Sequence, residues 1–231
     1  MKCLLSVCLS VLAGVAIFAA SKPGQSPALQ KGISVQMATS SHAAPMPEAD
    51  RENAWIVTVT SDGRVYFGTD EVTTAGLAEQ MKIHPRNRDA KLYIKADAGA
   101  PFSSVRQVLH AARVDLFDDV VLLTEQPEAA QPGTIVPPKG LDVWIGLQSG
   151  SNLIKIQIGA DQGPAALKVG NQTVAPSALQ DKLAQLLDHR AGRIVVLKAS
   201  GQVAFAQLIQ AIDACQGAGA SRVTVIVSGE V

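Results

Sequence analysis

One arrangement of elements occurs twice in this chain, and a chain that repeats a unit has to bury the unit's apolar face in each copy. The first copy, Trp55 to Glu125, reads as two short strands, a helix, a strand, a second helix and a last strand. Trp55 to Thr60 is β-branched and aromatic, Ser61-Asp62-Gly63-Arg64 is a turn, and Val65-Tyr66-Phe67 returns. Thr73 to Lys82 is predicted helical, Lys91 to Asp97 a strand, Pro101 to Arg113 a helix and Val120 to Thr124 the closing strand. The second copy follows about one hundred residues later. Ile154 to Ile158 answers Ile56 to Thr60, Val169-Gly170 answers Phe67-Gly68, and Pro176 to Leu187 answers the first helix. Ile194 to Ser200 answers the strand ending at Asp97, and Val223 to Val227 closes the copy. Phe205, Leu208, Ile212 and Cys215 repeat the spacing of Phe102, Val105, Leu109 and Ala112, which puts each set on one helical face. An upstream pair also matches: Lys31-Gly32-Ile33-Ser34-Val35 and Lys139-Gly140-Leu141-Asp142-Val143.

This order predicts an α+β fold: two tandem small domains, each a sheet with two helices on one face. Leu92 and Ile94 alternate with Lys91, Tyr93 and Lys95, so one face of that strand is expected in the core, with Val195 and Leu197 in the equivalent places. Such sheets have edges that accept a strand from a partner or a twin. A covalent tandem can satisfy one edge internally, as a pseudo-dimer.

Outside the repeat, Met1-Lys2 precedes an uncharged apolar run from Cys3 to Ala20, long enough to cross a bilayer core of about 30 Å. Residues 1–21 are therefore a transmembrane anchor or a cleaved signal segment, and either carries the bulk of the chain out of the cytoplasm. Residues 22–53 read as a linker with one short strand candidate, Ile33 to Met37. The predicted domains are 54–126 and 141–231, separated by a proline-rich linker at 127–140. With 20 basic and 20 acidic residues the chain has no electrostatic footprint for nucleic acid. Of three cysteines, Cys3 and Cys8 lie in the apolar run and Cys215 on a helix face, so no disulfide framework is expected.

Chemistry-bearing residues are sparse. His42, His84, His110 and His189 share no metal-ligand spacing, and His110 is expected at a helix surface. Asp118-Asp119 reads as a helix-to-strand turn rather than a general acid/base pair, which needs carboxylates converging on a cleft. Gly217-Ala218-Gly219 follows a helix and reads as its C-cap, whereas anion cradles precede one. No catalytic, cofactor or metal residue is expected, and the chain reads as non-enzymatic.

The stretch Pro27-Ala28-Leu29-Gln30-Lys31-Gly32-Ile33-Ser34-Val35 resembles the segment after the transmembrane helix of the ExbD/TolR biopolymer transport family. The resemblance continues through Ala44-Pro45-Met46-Pro47, Ile56 to Val59, Asp62-Gly63-Arg64-Val65-Tyr66 and Ile94-Lys95-Ala96-Asp97. It covers roughly residues 1–126, and the second copy is similar to a diverged version of the same periplasmic domain. It implies a single-pass subunit of the bacterial inner membrane with its domains in the periplasm. The partners implied are an ExbB/TolQ-like membrane subunit and a TonB/TolA-like protein, with homodimerisation or an intrachain pseudo-dimer. Asp97 occupies a family-motif position of unassigned role, where the second copy has Ser200. The family carries protons on an Asp inside its transmembrane helix, and Cys3 to Ala20 holds neither Asp nor Glu. The tail that precedes that helix is represented here by Met1-Lys2 alone. The function expected is an energy-transducing transport subunit, accessory or proton-uncoupled. The alternative is an exported periplasmic module, soluble after signal cleavage, that binds peptide or peptidoglycan.

Overall fold

The computed structural model describes residues 32–83, 90–125, 137–146, 153–159, 166–190 and 192–227. The first half consists of β1 Ala44–Pro45, β2 Trp55–Val59, β3 Val65–Phe67, β4 Asp70–Val72, α1 Thr74–Ile83, β5 Leu92–Ala96, α2 Phe102–Val114 and β6 Asp119–Thr124. The second consists of β7 Lys139–Ile145, β8 Ile154–Ile158, β9 Leu167–Val169, β10 Gln172–Thr173, α3 Leu179–Asp188, β11 Ile194–Ala199, α4 Phe205–Gly217 and β12 Arg222–Val225. Short 3-10 turns occupy Pro47–Asp50 and Pro176–Ala178.

Local chemistry explains these elements. Thr73 opens α1 by accepting the Gly76 N–H at 3.1 Å, satisfying a first-turn donor. The αβ connections lie where the sequence predicts them. The hairpin β2–β3 ends at Gly68 and the hairpin β8–β9 at Gly170, both left-handed with φ of 62° and 60°. Gly68 N–H donates to Ile56 O and Gly170 N–H to Lys155 O, so the two copies close their hairpins alike.

Instead of two separate sheets, the halves share one, ordered β10-β9-β8-β11-β12-β7-β6-β5-β2-β3-β4, with β1 also on β7. In each half the middle strand runs parallel to both neighbours, β5 to β2 and β6, β11 to β8 and β12. The halves join at β7, which is parallel to β12 and antiparallel to β6. Along one edge of β7, β1 pairs near its start and β12 near its end.

The four helices pack on one sheet face. The faces predicted for α2 and α4 are fully buried, from Phe102 to Ala112 and from Phe205 to Cys215, together with Leu92, Ile94, Val195 and Leu197. Trp55 meets the rings of Phe67 and Phe117 at 5.7 and 5.9 Å in the same core.

The opposite face of the first half departs from the alternation. Tyr93 and Lys95, expected in solvent, are each 4 % exposed. The chain segment from Gly32 to Ala54 lies over them as a strap. Val35, Met37, Met46, Ala49 and Ala54 pack there on Ile56, Tyr93, Val121 and Leu123, forming a second small core. The strap carries no regular strand at Ile33 to Met37, only isolated bridges from Met37 to Asp97 and Thr39 to Glu125. The upstream sequence match is thus not a match of position. β7 holds the edge of β6, so the corresponding segment of the first copy crosses the sheet face instead. In β7, Gly140 permits close packing, since a Cβ there would lie 2.4 Å from Val121 Cγ1.

Candidate functional site

Asp97 directly follows β5 and organises the turn there. Its N–H donates to Val59 O at 2.8 Å and its carbonyl accepts Ala100 N–H at 2.9 Å. One carboxylate oxygen accepts Gly99 N–H at 2.9 Å and the other accepts Gln36 N–H at 3.2 Å. The side chain therefore ties the strap to the end of the central strand. Ser200 occupies the equivalent turn, donating to Ile158 O at 2.9 Å and accepting Val203 N–H at 3.1 Å.

Beyond these turns the halves meet in a reciprocal seam. Phe102 N–H donates to Val203 O at 2.8 Å, and Phe205 N–H donates to Ala100 O at 2.9 Å. Ser103 N–H donates to Gly201 O at 3.0 Å, and Ala206 N–H to Ala98 O at 2.9 Å. First-turn amides of a helix have no partner within it. Here each of α2 and α4 has two of them satisfied by the other half's turn, with an antiparallel bridge from Pro101 to Ala204.

A second contact joins the strap to α4. Asp213 accepts the Ser40 hydroxyl on Oδ1, along with His42 N–H at 2.8 Å, and its Oδ2 lies 3.1 Å from His42 Nδ1. Burial pushes the Asp213 carboxyl up, but these hydrogen bonds outweigh it and hold the group below the ordinary carboxylate value. Ser40 and His42 both engage the carboxylate rather than each other, so no base activates a nucleophile here. The clasp was not legible in the sequence: Ser40 and His42 sit in the segment read as linker, far from Asp213.

The remaining sequence candidates do not converge. His110 is exposed beside the groove between α1 and α2, His189 is exposed after α3, and His84 lies outside the described residues. Asp118 pairs with Arg113 at 2.7 Å, and Asp119 starts β6. Gly217-Ala218-Gly219 caps α4, with Ala218, Gly219 and Ala220 N–H returning to the last helical carbonyls. Among the described residues no three His, Cys, Asp or Glu side chains gather as a metal site, and no helix is long and apolar enough to cross a membrane. The apolar run Cys3 to Ala20 lies outside them. Lys95 has burial alone acting on it, which lowers its pKa. The outer edges of the sheet are the short strands β4 and β10.

Searches of curated proteins and of solved structures returned no match. The family ExbD, described as biopolymer transport protein ExbD/TolR, matches residues 15–127 and again residues 136–230, once over each half. That family comprises energy-transducing transport components that associate with ExbB/TolQ and TonB/TolA-type proteins, typically at the inner membrane with a periplasmic domain. With matches over most of its length, the chain belongs to the ExbD/TolR family.

Proposed function

We propose that this chain is an accessory, proton-uncoupled subunit of a TonB/Tol-type transport complex, anchored by Cys3 to Ala20 with both halves in the periplasm. The observation that carries the reading is the double family match, one over each half of a single paired unit. The reciprocal seam supports an intrachain pseudo-dimer, in which one chain supplies what two copies would otherwise bring together. In this reading the domains are 54–126 and 141–231, with 127–140 between them. An ExbB/TolQ-like subunit meets the anchor, and a TonB/TolA-like protein adds a strand at an outer edge. The uncoupled part follows from chemistry: hydroxyls and thiols in lipid do not exchange protons near neutral pH, and the run has no carboxylate. Complementation of a strain lacking its own ExbD-like subunit tests this, with uptake of a TonB-dependent ligand as readout. No rescue, with co-purification of an ExbB-like or TonB-like protein, is expected; full rescue overturns the uncoupled reading.

A second reading, an exported peptide- or peptidoglycan-binding module, has one observation in its favour. The Trp144 ring, stacked by Arg222 at 4.1 Å, borders a cavity of about 440 Å³ also lined by His42, Asp142, Gln216 and Ser221. An aromatic ring among hydrogen-bonding side chains suits a sugar or peptide. Cell fractionation separates the two, since the module alone leaves the membrane fraction.

A further inference from the structure

Among the described residues three large apolar side chains are more than half exposed, and all three sit at one end of the first half. They are Ile83 at 71 %, Val114 at 53 % and Leu116 at 81 %. Ile83 ends α1 and Val114 ends α2. Both helices run back to the N-terminal ends of the parallel strands β2, β5 and β6, so they finish together. Lys82, beside Ile83, lies within electrostatic reach of Asp115, between Val114 and Leu116. Leu116 has a φ of 63°, a left-handed conformation unfavourable for a residue with a Cβ. That conformation closes the cap of α2, with Leu116 N–H on Arg113 O and Phe117 N–H on Ala112 O, as Gly219 does after α4 with φ of 82°.

The strap starts over the middle of β2 and runs away from this end. A Cβ on Gly32 would lie 2.8 Å from Thr58 Oγ1 and 3.3 Å from the Gly68 carbonyl. From there the strap crosses to Asp97 at the far end. In the sequence only residues 21–31 separate Gly32 from the apolar run Cys3 to Ala20. A chain of that length spans at most about 40 Å.

We infer that this end of the first half rests on the lipid surface, with Ile83, Val114 and Leu116 entering the interfacial layer. The inference depends on the anchored reading above. Apolar side chains at the tips of two helices gain by leaving water for that layer. The anchor keeps the bilayer within reach of this end, so the surface need not bind strongly by itself.

The test uses the full chain with Cys3→Ala and Cys8→Ala, since Cys215 is buried. Single cysteines introduced by Ile83→Cys, Leu116→Cys and, at the opposite end, Ser61→Cys carry an environment-sensitive fluorophore. The chain is reconstituted in phosphatidylethanolamine–phosphatidylglycerol vesicles. The expected result is blue-shifted emission at positions 83 and 116, quenched by nitroxide lipid, with the label at 61 unaffected by either. Chain that floats with the vesicles while all three labels behave alike overturns the inference and leaves the anchor standing. A blue shift without nitroxide quenching overturns it in favour of a protein cover, a second copy included. Chain that fails to float removes the anchored reading and this inference with it. Leu116→Asp supplies an independent check: it is expected to reduce quenching at 83, and unchanged quenching also counts against the inference.

Discussion

Lys95 shows how one residue can misdirect a reading of the sequence. Alternation with Leu92 and Ile94 places it in solvent, yet the strap covers it, and burial disfavours its charge. Its folded pKa is below the unfolded 10.5, so the unfolded chain binds the proton more tightly and stability rises with pH as the amine discharges, up to 10.5. Lys95→Met is expected to stabilise the fold by on the order of 1 kcal/mol at pH 7 and to flatten that rise, as read by urea unfolding at pH 7 and pH 10. Cys215 acts in the opposite sense. Burial pushes its thiol from 9.0 to about 12, so its contribution is complete below pH 9 and is lost as pH climbs towards 12. The native thiol should therefore resist alkylation at pH 8 until urea unfolds the chain. The inward residues were legible throughout: Leu92 and Leu197 are fully buried, and Leu→Ala at either should cost about 2–5 kcal/mol in denaturant unfolding. What misled was the opposite face, because periodicity within one strand says nothing about a segment arriving from elsewhere.

At the scale of elements, periodic segments were readable and aperiodic ones were not. α2 lies within a residue of its predicted ends, and α4 carries the four apolar positions that the spacing put on one face, because such a face defines a helix against a sheet. The strap's apolar residues, Val35, Met37, Met46, Ala49 and Ala54, follow neither period two nor period 3.6, so in sequence they look like spacer. The strap's attachment to α4 can be tested at Asp213. Asp213→Ala strands the Ser40 hydroxyl and the His42 N–H, and should cost on the order of 1–3 kcal/mol. Hydrogen exchange should speed up at Ser40 and His42 while the amides of β5 keep their protection. Equal protection at Ser40 and His42 before and after the substitution would show that the clasp does not hold the strap. Asp213 is held below its ordinary value, so its contribution persists above pH 3.8 and is lost as the pH falls through the folded value.

For the whole molecule, the repeat was legible but its assembly was not. Two copies in sequence are compatible with two separate sheets or with one, and pairing between strands far apart in the chain leaves no local signature. β7 decides for one sheet, since the first half's β6 and the second half's β12 both bond to it. Heat should therefore unfold both halves in a single transition. Its midpoint should not change with protein concentration, because the seam closes within one chain. Calorimetry over a range of concentrations checks both points, and two resolved transitions would mean the halves are held together only weakly.

β7 also sets a timetable. A chain made from its N-terminus presents β6 before Lys139–Ile145 has emerged, and for that interval β6 offers a row of unpaired amides and carbonyls. An unfilled parallel-sheet edge is an opening for the wrong strand, including one from a neighbouring molecule at the same stage. The hazard ends when β7 arrives, and β12, the last strand of the fold, fixes the join from the other side. A chain stopped at residue 126 would be left with the edge permanently open, and the expected outcome is association through β6, seen as dimers or larger species by light scattering. Completing the molecule is in this sense an act of self-quenching: the second half ends the reactivity that the first half is made with.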